Sequence, residues 1–534
     1  MAADVTCLAL TKTFFHPYLL PLKALYFFQI GATACIIPYI PLFLQSLGLN
    51  AAENGIIFGV LPFVAMLSKP TAGALMDKLK APYMVLRVFV LIELTFISAI
   101  YFIPALPGPT LPSPVHNISC LFNSSTSTEL QAIAESGEGN FTCLYRVSTV
   151  EESYQNETFY EISLIEELRQ ANYSDCECSW LPFPRGNASD DIVQWTMQFW
   201  LTGLILIVGW FGYGAVFTLG DAIAFHVLES SPIPTTYGSS RCFGTLGYAV
   251  FSLIIGLLMD SFSETSAAAD RDFVPSFATF VVAGFCGIVV SFFLRHEKGS
   301  VVGKQAEAMA RQDSVAVEKG HTDSLAKVSL WTLLTADVVL FWSGIFVNGA
   351  CTGMLYGYLT WYQSELGASS LLMGITIFAQ CAFETPMMAT SGWVIGKLGY
   401  HGCMLMALVS FGIRFIGYSY LVDPWYILII EVTHAFGFGL FYANMSCFAF
   451  DKAPPGATGT LQGILGATYE GIGQGVGGLV AGFLYYKYGG RNTWRGYGIL
   501  ALGFATLYAV LAFFLRKRAQ TAKTVDFPLQ QKQN

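Results

Sequence analysis

The chain has 534 residues, 54% of them hydrophobic and only 12% charged, about half the charged share of a soluble domain. That balance excludes an ordinary soluble enzyme and points to a polytopic membrane protein. The net charge of −8 is concentrated in one segment, so it says nothing about acidic or nucleic-acid partners for the whole chain, and no nucleic-acid partner is expected.

Apolar windows fall near 20–46, 52–76, 82–105, 194–228, 239–260, 273–295, 330–361, 369–393, 402–420, 425–450, 458–485 and 494–515. About 20 apolar residues cross a bilayer, so these windows predict an all-α bundle of twelve spans. Met1 to Pro21 shows no short apolar core followed by a small-residue cleavage site, and the first helix is expected to be its own insertion signal. Ile37-Pro38-Tyr39-Ile40-Pro41 and Gly471-Ile472-Gly473-Gln474-Gly475-Val476-Gly477-Gly478 put proline and glycine inside spans, where packed bundles form kinks and close contacts. With the N-terminus inside, 20 of the 28 Lys and Arg fall on the cytoplasmic side, 7 outside and Arg414 in mid-span. The opposite orientation reverses that ratio, so both termini are expected in the cytoplasm.

Between the third and fourth spans, residues 106–193 carry six Asn-x-Ser/Thr sequons, at Asn117, Asn123, Asn140, Asn156, Asn172 and Asn187, and thirteen acids against three arginines. Sequons on the side that charge counting places outside predict a glycosylated extracellular loop. It fits the plasma membrane, and it is the surface open to an extracellular protein partner. Cys120, Cys143, Cys176 and Cys178 lie in that oxidising compartment, where disulfides persist. Cys176 and Cys178 are too close to bridge each other comfortably, so Cys120 and Cys143 are each expected to pair with one of them. The other eight cysteines read as small apolar residues.

A Lys-, Glu- and Ala-rich stretch at 296–329 separates two six-helix halves, residues 1–295 and 330–518, and leaves 519–534 as a cytoplasmic tail. The halves echo each other. Gly73-Ala74-Leu75-Met76-Asp77-Lys78-Leu79-Lys80 follows the second span and Gly392-Trp393-Val394-Ile395-Gly396-Lys397-Leu398-Gly399 the eighth. Internal repeats of this kind are the usual architecture of secondary transporters, with the substrate site at mid-membrane between the halves. Asp77 and Lys78 are expected to gate or pack in their cytoplasmic turn, with Gly73, Gly392 and Lys397 in the same motif.

A charge at the hydrocarbon centre costs about 2.5–3.5 kcal/mol, so each needs a partner or a function. The candidates are Glu93, Glu384, Arg414, Glu431, His434 and Glu470. Glu431 and His434, spaced i,i+3, share a helix face where a carboxylate and an imidazole can pass a proton. Buried pairs that fix helix register are the plain alternative for any one of these residues. For the group, titratable carboxylates beside a cation are what proton coupling requires. Asp221 and Arg241, near the cytoplasmic ends of spans four and five, form either a hairpin clamp or a ligand pair. Glu431-Val432-Thr433-His434 is not the His-Glu-x-x-His zinc pattern and no Walker loop occurs, so neither a metal nor a nucleotide cofactor is expected.

These residues resemble the major facilitator superfamily, in the branch of bacterial lactose permease. Ile37 to Pro41, Gly55-Ile56-Ile57-Phe58, Lys69-Pro70 and Gly73 to Leu79 are similar to its first two spans and the following loop. Tyr237-Gly238-Ser239-Ser240-Arg241-Cys242-Phe243-Gly244-Thr245-Leu246-Gly247-Tyr248 resembles its fifth-span sugar motif. The resemblance implies a ligand role for Arg241 and Asp221, with Tyr248 where a tryptophan stacks on sugar. Gly412-Ile413-Arg414-Phe415-Ile416-Gly417 and Thr433-His434-Ala435-Phe436 resemble the segments of the coupling arginine and the ligand histidine. Gly437 replaces the coupling glutamate, Glu431 stands one turn earlier in place of a lysine, and Glu384 lies about a turn from the eighth-span glutamate. The long sequon-bearing loop resembles the animal major facilitator superfamily domain-containing protein 6 group.

The expectation is therefore a twelve-helix alternating-access transporter of a small polar solute in the lipid bilayer, coupled to protons. Asp221, Arg241, Tyr248, Glu384 and His434 are expected to bind the solute, and Arg414, Glu431, Glu93 and Glu470 to serve coupling. The competing class is a glycosylated cell-surface receptor or adhesion protein whose bundle displays the loop at 106–193.

Overall fold

The computed structural model describes residues 16–106, 120–121, 177–178, 193, 195–229, 231, 237–263, 271–294, 335–453 and 458–530. Ten of its helices are long and apolar enough to cross a membrane, but Ser370–Ser419 has 50 residues and Leu461–Lys517 has 57, over twice what a crossing uses. Each is broken once, at Gly399 (φ 71°, ψ 169°) and Gly489 (φ 75°, ψ 166°), backbone values essentially restricted to glycine. The expected twelve crossings follow. They are α1 (Leu20–Ser46), α2 (Ala51–Leu79), α3 (Pro82–Phe102), α4 (Met197–Glu229), α5 (Tyr237–Phe262), α6 (Val274–Ser291), α7 (Ala336–Glu365), α8 (370–398), α9 (400–419), α10 (Pro424–Lys452), α11 (458–488) and α12 (490–530). The seventh begins and ends a few residues later than its hydropathy window. The twelfth runs on to Gln530, so the stretch expected as a tail continues the helix.

The repeat between the halves extends beyond the motif seen in sequence. Gly48 (φ 89°) and Gly367 (φ 75°) end α1 and α7 alike, with Leu49 N–H on Leu44 O at 3.1 Å and Ala368 N–H on Gln363 O at 2.9 Å, a left-handed helix end. Asn50 and Ser369 then cap α2 and α8, accepting from the N–H of Glu53 at 3.0 Å and of Leu372 at 3.2 Å. Lys80 (φ 50°) and Gly399 fall at matching places seven residues after Gly73 and Gly392.

Each half has its own core, built on residues such as Leu22, Phe43, Phe89 and Phe277 in the first and Tyr358, Phe415, Phe341 and Trp494 in the second. At the end of the bundle holding Gly48 and Gly367 the cores exchange residues. Ala368, Leu372 and Met373 pack in the first half's core and Ala51 in the second's. Asn54 Nδ2 donates to Gly357 O at 3.1 Å, Tyr358 OH to Ala51 O at 2.8 Å and Thr360 Oγ1 to Pro38 O at 2.6 Å. We call this the sealed end. We call the opposite end, toward Gly73, Gly392 and Gly463, the open end; a Cβ built at any of these three would meet nothing within 4 Å, as would one at Gly203 or Gly367.

Residues 106–194 form a separate compact unit. Its described part is a two-residue antiparallel pair, β1 (Cys120–Leu121) and β2 (Glu177–Cys178), with Cys120 opposite Cys178 in the register. The six sequons, Cys143, Cys176 and the linker 296–329 lie outside the described residues.

Candidate functional site

The second half carries one continuous polar chain across α8, α9 and α10. The Arg414 guanidinium on α9 binds the Glu431 carboxylate on α10, and Tyr418 OH donates to the same carboxylate. Arg414 Nε also donates to the Tyr418 hydroxyl oxygen at 2.7 Å, and its Nη1 lies 2.8 Å from His434 Nδ1. Arginine offers only donors, so Nδ1 accepts and the ring proton of His434 sits on Nε2. That nitrogen faces Glu384 Oε2 on α8 at 3.7 Å, a gap that a water or a solute hydroxyl can bridge. The side chains of Arg414 and Glu431 are 2% and 0% exposed, those of His434 and Glu384 7% and 14%. Arg414 and Glu431 are therefore shut away from solvent, and Glu384 is the most exposed end of the chain.

Local backbone sets this geometry. After a 3₁₀ turn at Glu431–Thr433, α10 has a π segment at Ala435–Leu440, and such segments turn a helix face in mid-span and concentrate at functional sites. Gly437, where the bacterial pattern has a glutamate, is closely packed: a Cβ there would stand 3.1 Å from Ser410 Oγ and 3.3 Å from the Phe411 ring. The carboxylate that meets Arg414 comes from Glu431 instead. At about 1.5 Å per residue, Arg414 lies nearer the sealed end of α9 than the mid-depth expected of it.

Glu470 and Glu93 stand apart from this chain. Glu470, within a π segment of α11 (Ala467–Gly473), binds Lys69 of α2 across the two halves, with side chains 34% and 38% exposed. Glu93 on α3 accepts from Gln29 Nε2 on α1 at 3.3 Å, fully buried inside the first half. Neither is joined to Arg414.

Asp221 on α4 accepts from Tyr26 OH at 2.8 Å and lies 4.0 Å from Arg241 Nε on α5. The Arg241 guanidinium lies 5.5 Å from the Tyr26 ring centre and 5.8 Å from that of Phe217, within cation–π range. Next to this cluster a small pocket is lined by Leu25, Tyr26, Gln29, Leu86 and Phe217. Tyr248 packs partly buried on the first half's core. The Asp221 cluster sits toward the open end and the Glu384 chain deeper, without a direct bond between them.

Asp77 and Lys78 are exposed, and among the described residues no hydrogen bond joins either to the next helix or to the other half. Lys397 lies 4.0 Å over the Trp393 ring. Among the described residues no cluster of His, Cys, Asp and Glu could hold a metal. Sequence reasoning missed Tyr418, Tyr26 and Lys69. The first was legible as an i,i+4 neighbour of Arg414, whereas the others act through helices distant in sequence.

A family model described as "MFS_1 like family" matches residues 19–496. A major facilitator superfamily domain-containing protein 6-like protein B from Xenopus laevis is 25% identical over 270 residues, 51% of this chain and 41% of that protein, so the match spans under half of that relative. A Danio rerio protein of the same name group is 20% identical over 91% of this chain and 86% of its own length. A maltose permease from Geobacillus stearothermophilus is 26% identical over 58% of this chain and 70% of its own. Among solved structures, the nucleoside transporter NupG superposes with a TM-score of 0.60 at 13% identity, covering 93% of this chain and 99% of that one. A D-xylose-proton symporter gives 0.53 at 10% identity over 92% and 97%. At such identities the structural likeness speaks for the fold alone.

Proposed function

The chain belongs to the MFS_1 like family, a multi-pass secondary transporter of the major facilitator superfamily and not an enzyme, and from that premise we propose that it moves a small polar solute by alternating access with proton symport. One observation carries the proposal: Glu384, His434, Arg414 and Glu431 form a single relay, cavity-facing at Glu384 and sheltered at Glu431. With Nδ1 held by Arg414, His434 can take a second proton only by giving up that bond. Proton load on the Glu384–His434 end is thereby linked to the Arg414–Glu431 pair. Solute on the Asp221–Arg241 pair and Glu384 reaches both walls of the cavity, and Lys69–Glu470 bridges the halves beside it. Glu93 belongs to the first half's interior and Tyr248 to its wall.

By the charge bias the sealed end faces outside; the loop at 106–193 is glycosylated, and Cys120 and Cys143 each pair with one of Cys176 and Cys178. In that orientation the two halves, 1–295 and 330–518, are joined by the cytoplasmic segment 296–329, and the protein sits in the plasma membrane facing inward. The test is proton flux in proteoliposomes against pooled sugars, amino acids, organic acids and nucleosides, comparing the parent with the double variant Arg414→Met with Glu431→Gln, which removes both charges of the buried pair. Solute-dependent proton entry that the double variant lacks is the expected result. Solute flux without proton movement in the parent would overturn the coupling.

A further inference from the structure

The turn between α7 and α8 is held by two side chains of the other half. The first N–H groups of any helix lack partners within it, and in α8 the Ser369 hydroxyl takes only that of Leu372. The N–H groups of Ser370 and Leu371 both go to the carboxylate of Asp260 on α5, at 2.7 Å to Oδ1 and 2.9 Å to Oδ2. Arg271, 5% exposed just before α6, donates Nη2 to Ala368 O at 2.5 Å and holds Nη1 3.3 Å from Met373 Sδ. An anion thus sits at the positive end of α8 and a cation on the carbonyl of the turn before it, the signs that the peptide dipoles favour.

α2, the counterpart of α8, carries the reciprocal Asn50–Glu53 pair of its own half at its start, whereas the first turn of α8 takes a carboxylate from the opposite half. Beneath the turn the two helices touch backbone to backbone. A Cβ on Gly374 would lie 2.3 Å from Ser252 O, and one on Gly256 2.7 Å from Ser370 O. The same helices carry Arg241 and Glu384, about 28 Å along α5 from Asp260 and about 21 Å along α8 from Ser370 at 1.5 Å per residue, which ties the sealed end to both residues.

We propose that Asp260 and Arg271 form a latch that keeps the sealed end shut in the resting transporter and releases when the bundle opens on that side. The latch rests on the alternating-access reading above but needs neither a known solute nor proton coupling. It is tested on full-length purified protein in detergent carrying one reporter cysteine at a time. Thr360→Cys reports the sealed end, because Thr360 is buried on Pro38 there, and Gly463→Cys reports the open end, where that position is uncrowded.

With Asp260→Asn, and separately with Arg271→Met, maleimide labelling of the Thr360→Cys reporter should quicken about tenfold or more, the factor carried by one charge-assisted hydrogen bond. Labelling of the Gly463→Cys reporter should slow. Asp260→Glu, which keeps a carboxylate, should stay nearer the parent than Asp260→Asn. Unchanged labelling at both reporters in protein of parental melting temperature would reduce Asp260 to a helix cap. Faster labelling at both would show general loosening, and either outcome overturns the latch. Because no solute is added, absence of proton-coupled flux leaves the latch standing, and a failed latch leaves the flux reading standing.

Discussion

Removing Arg414 is the most informative single perturbation, since folding and coupling separate there. Its guanidinium contacts Glu431, Tyr418 and His434 and is 1% exposed as a residue. Arg414→Met leaves the Glu431 carboxylate, with no solvent access, facing one tyrosine hydroxyl. Breaking a buried ion pair from one side costs about 3–5 kcal/mol. Neutral hydrogen bonds inside a membrane are worth only about 0.6 kcal/mol on average, so the stranded charge decides the outcome. Arg414→Met should therefore lower both the melting temperature in detergent and surface expression, and its loss of transport would not report on mechanism. The double variant Arg414→Met with Glu431→Gln removes both charges and should recover stability to within about 1–2 kcal/mol of the parent, while proton-coupled flux stays absent. The assay is thermal unfolding in detergent followed by flux in proteoliposomes. A double variant as unstable as the single one refutes the buried-pair argument. A double variant that couples protons at the parental rate refutes the relay.

Tyr418→Phe removes one oxygen and leaves Arg414 Nε and Glu431 short of a partner, so it should cost about 1.5–3 kcal/mol, read by the same unfolding assay; a change below about 0.5 kcal/mol would sink that account. Lys69→Met or Glu470→Gln breaks a pair whose side chains are 38% and 34% exposed, and such pairs are worth about 0–1 kcal/mol. Melting should hardly move while flux falls, and restored flux on exchanging the two residues, Lys69→Glu with Glu470→Lys, checks that the bond across the halves is what matters. Gly482→Leu places a side chain where a Cβ already lies 2.6 Å from the Gly55 Cα. Overpacking there should cost about 1–3 kcal/mol and separate α2 from α11, and unaltered melting would show that the crossing has slack.

Composition and hydropathy were enough for class and spans, because the bilayer imposes a length and an apolar content on every crossing whatever its neighbours. Even where the structure runs two helices together, the break falls at a glycine the sequence shows, Gly399 or Gly489. The cost of intramembrane charge also marked Arg414, Glu431, His434 and Glu384 as a group before any geometry was known. Which of them touch was a different matter. Glu470 looked like a member of that group and instead binds Lys69, 401 residues away in sequence, because α2 and α11 cross. Gly437, which replaces a glutamate, proved to be closely packed against Ser410 and Phe411. Asp260, an unremarkable acid at the end of a span, completes the cap of α8 from the other half. Solvent and lipid act on each residue separately, so the sequence determines what lies in the membrane and what cannot lie there unpaired. Partners are chosen by helices packing from distant parts of the chain, and only the tertiary structure decides those.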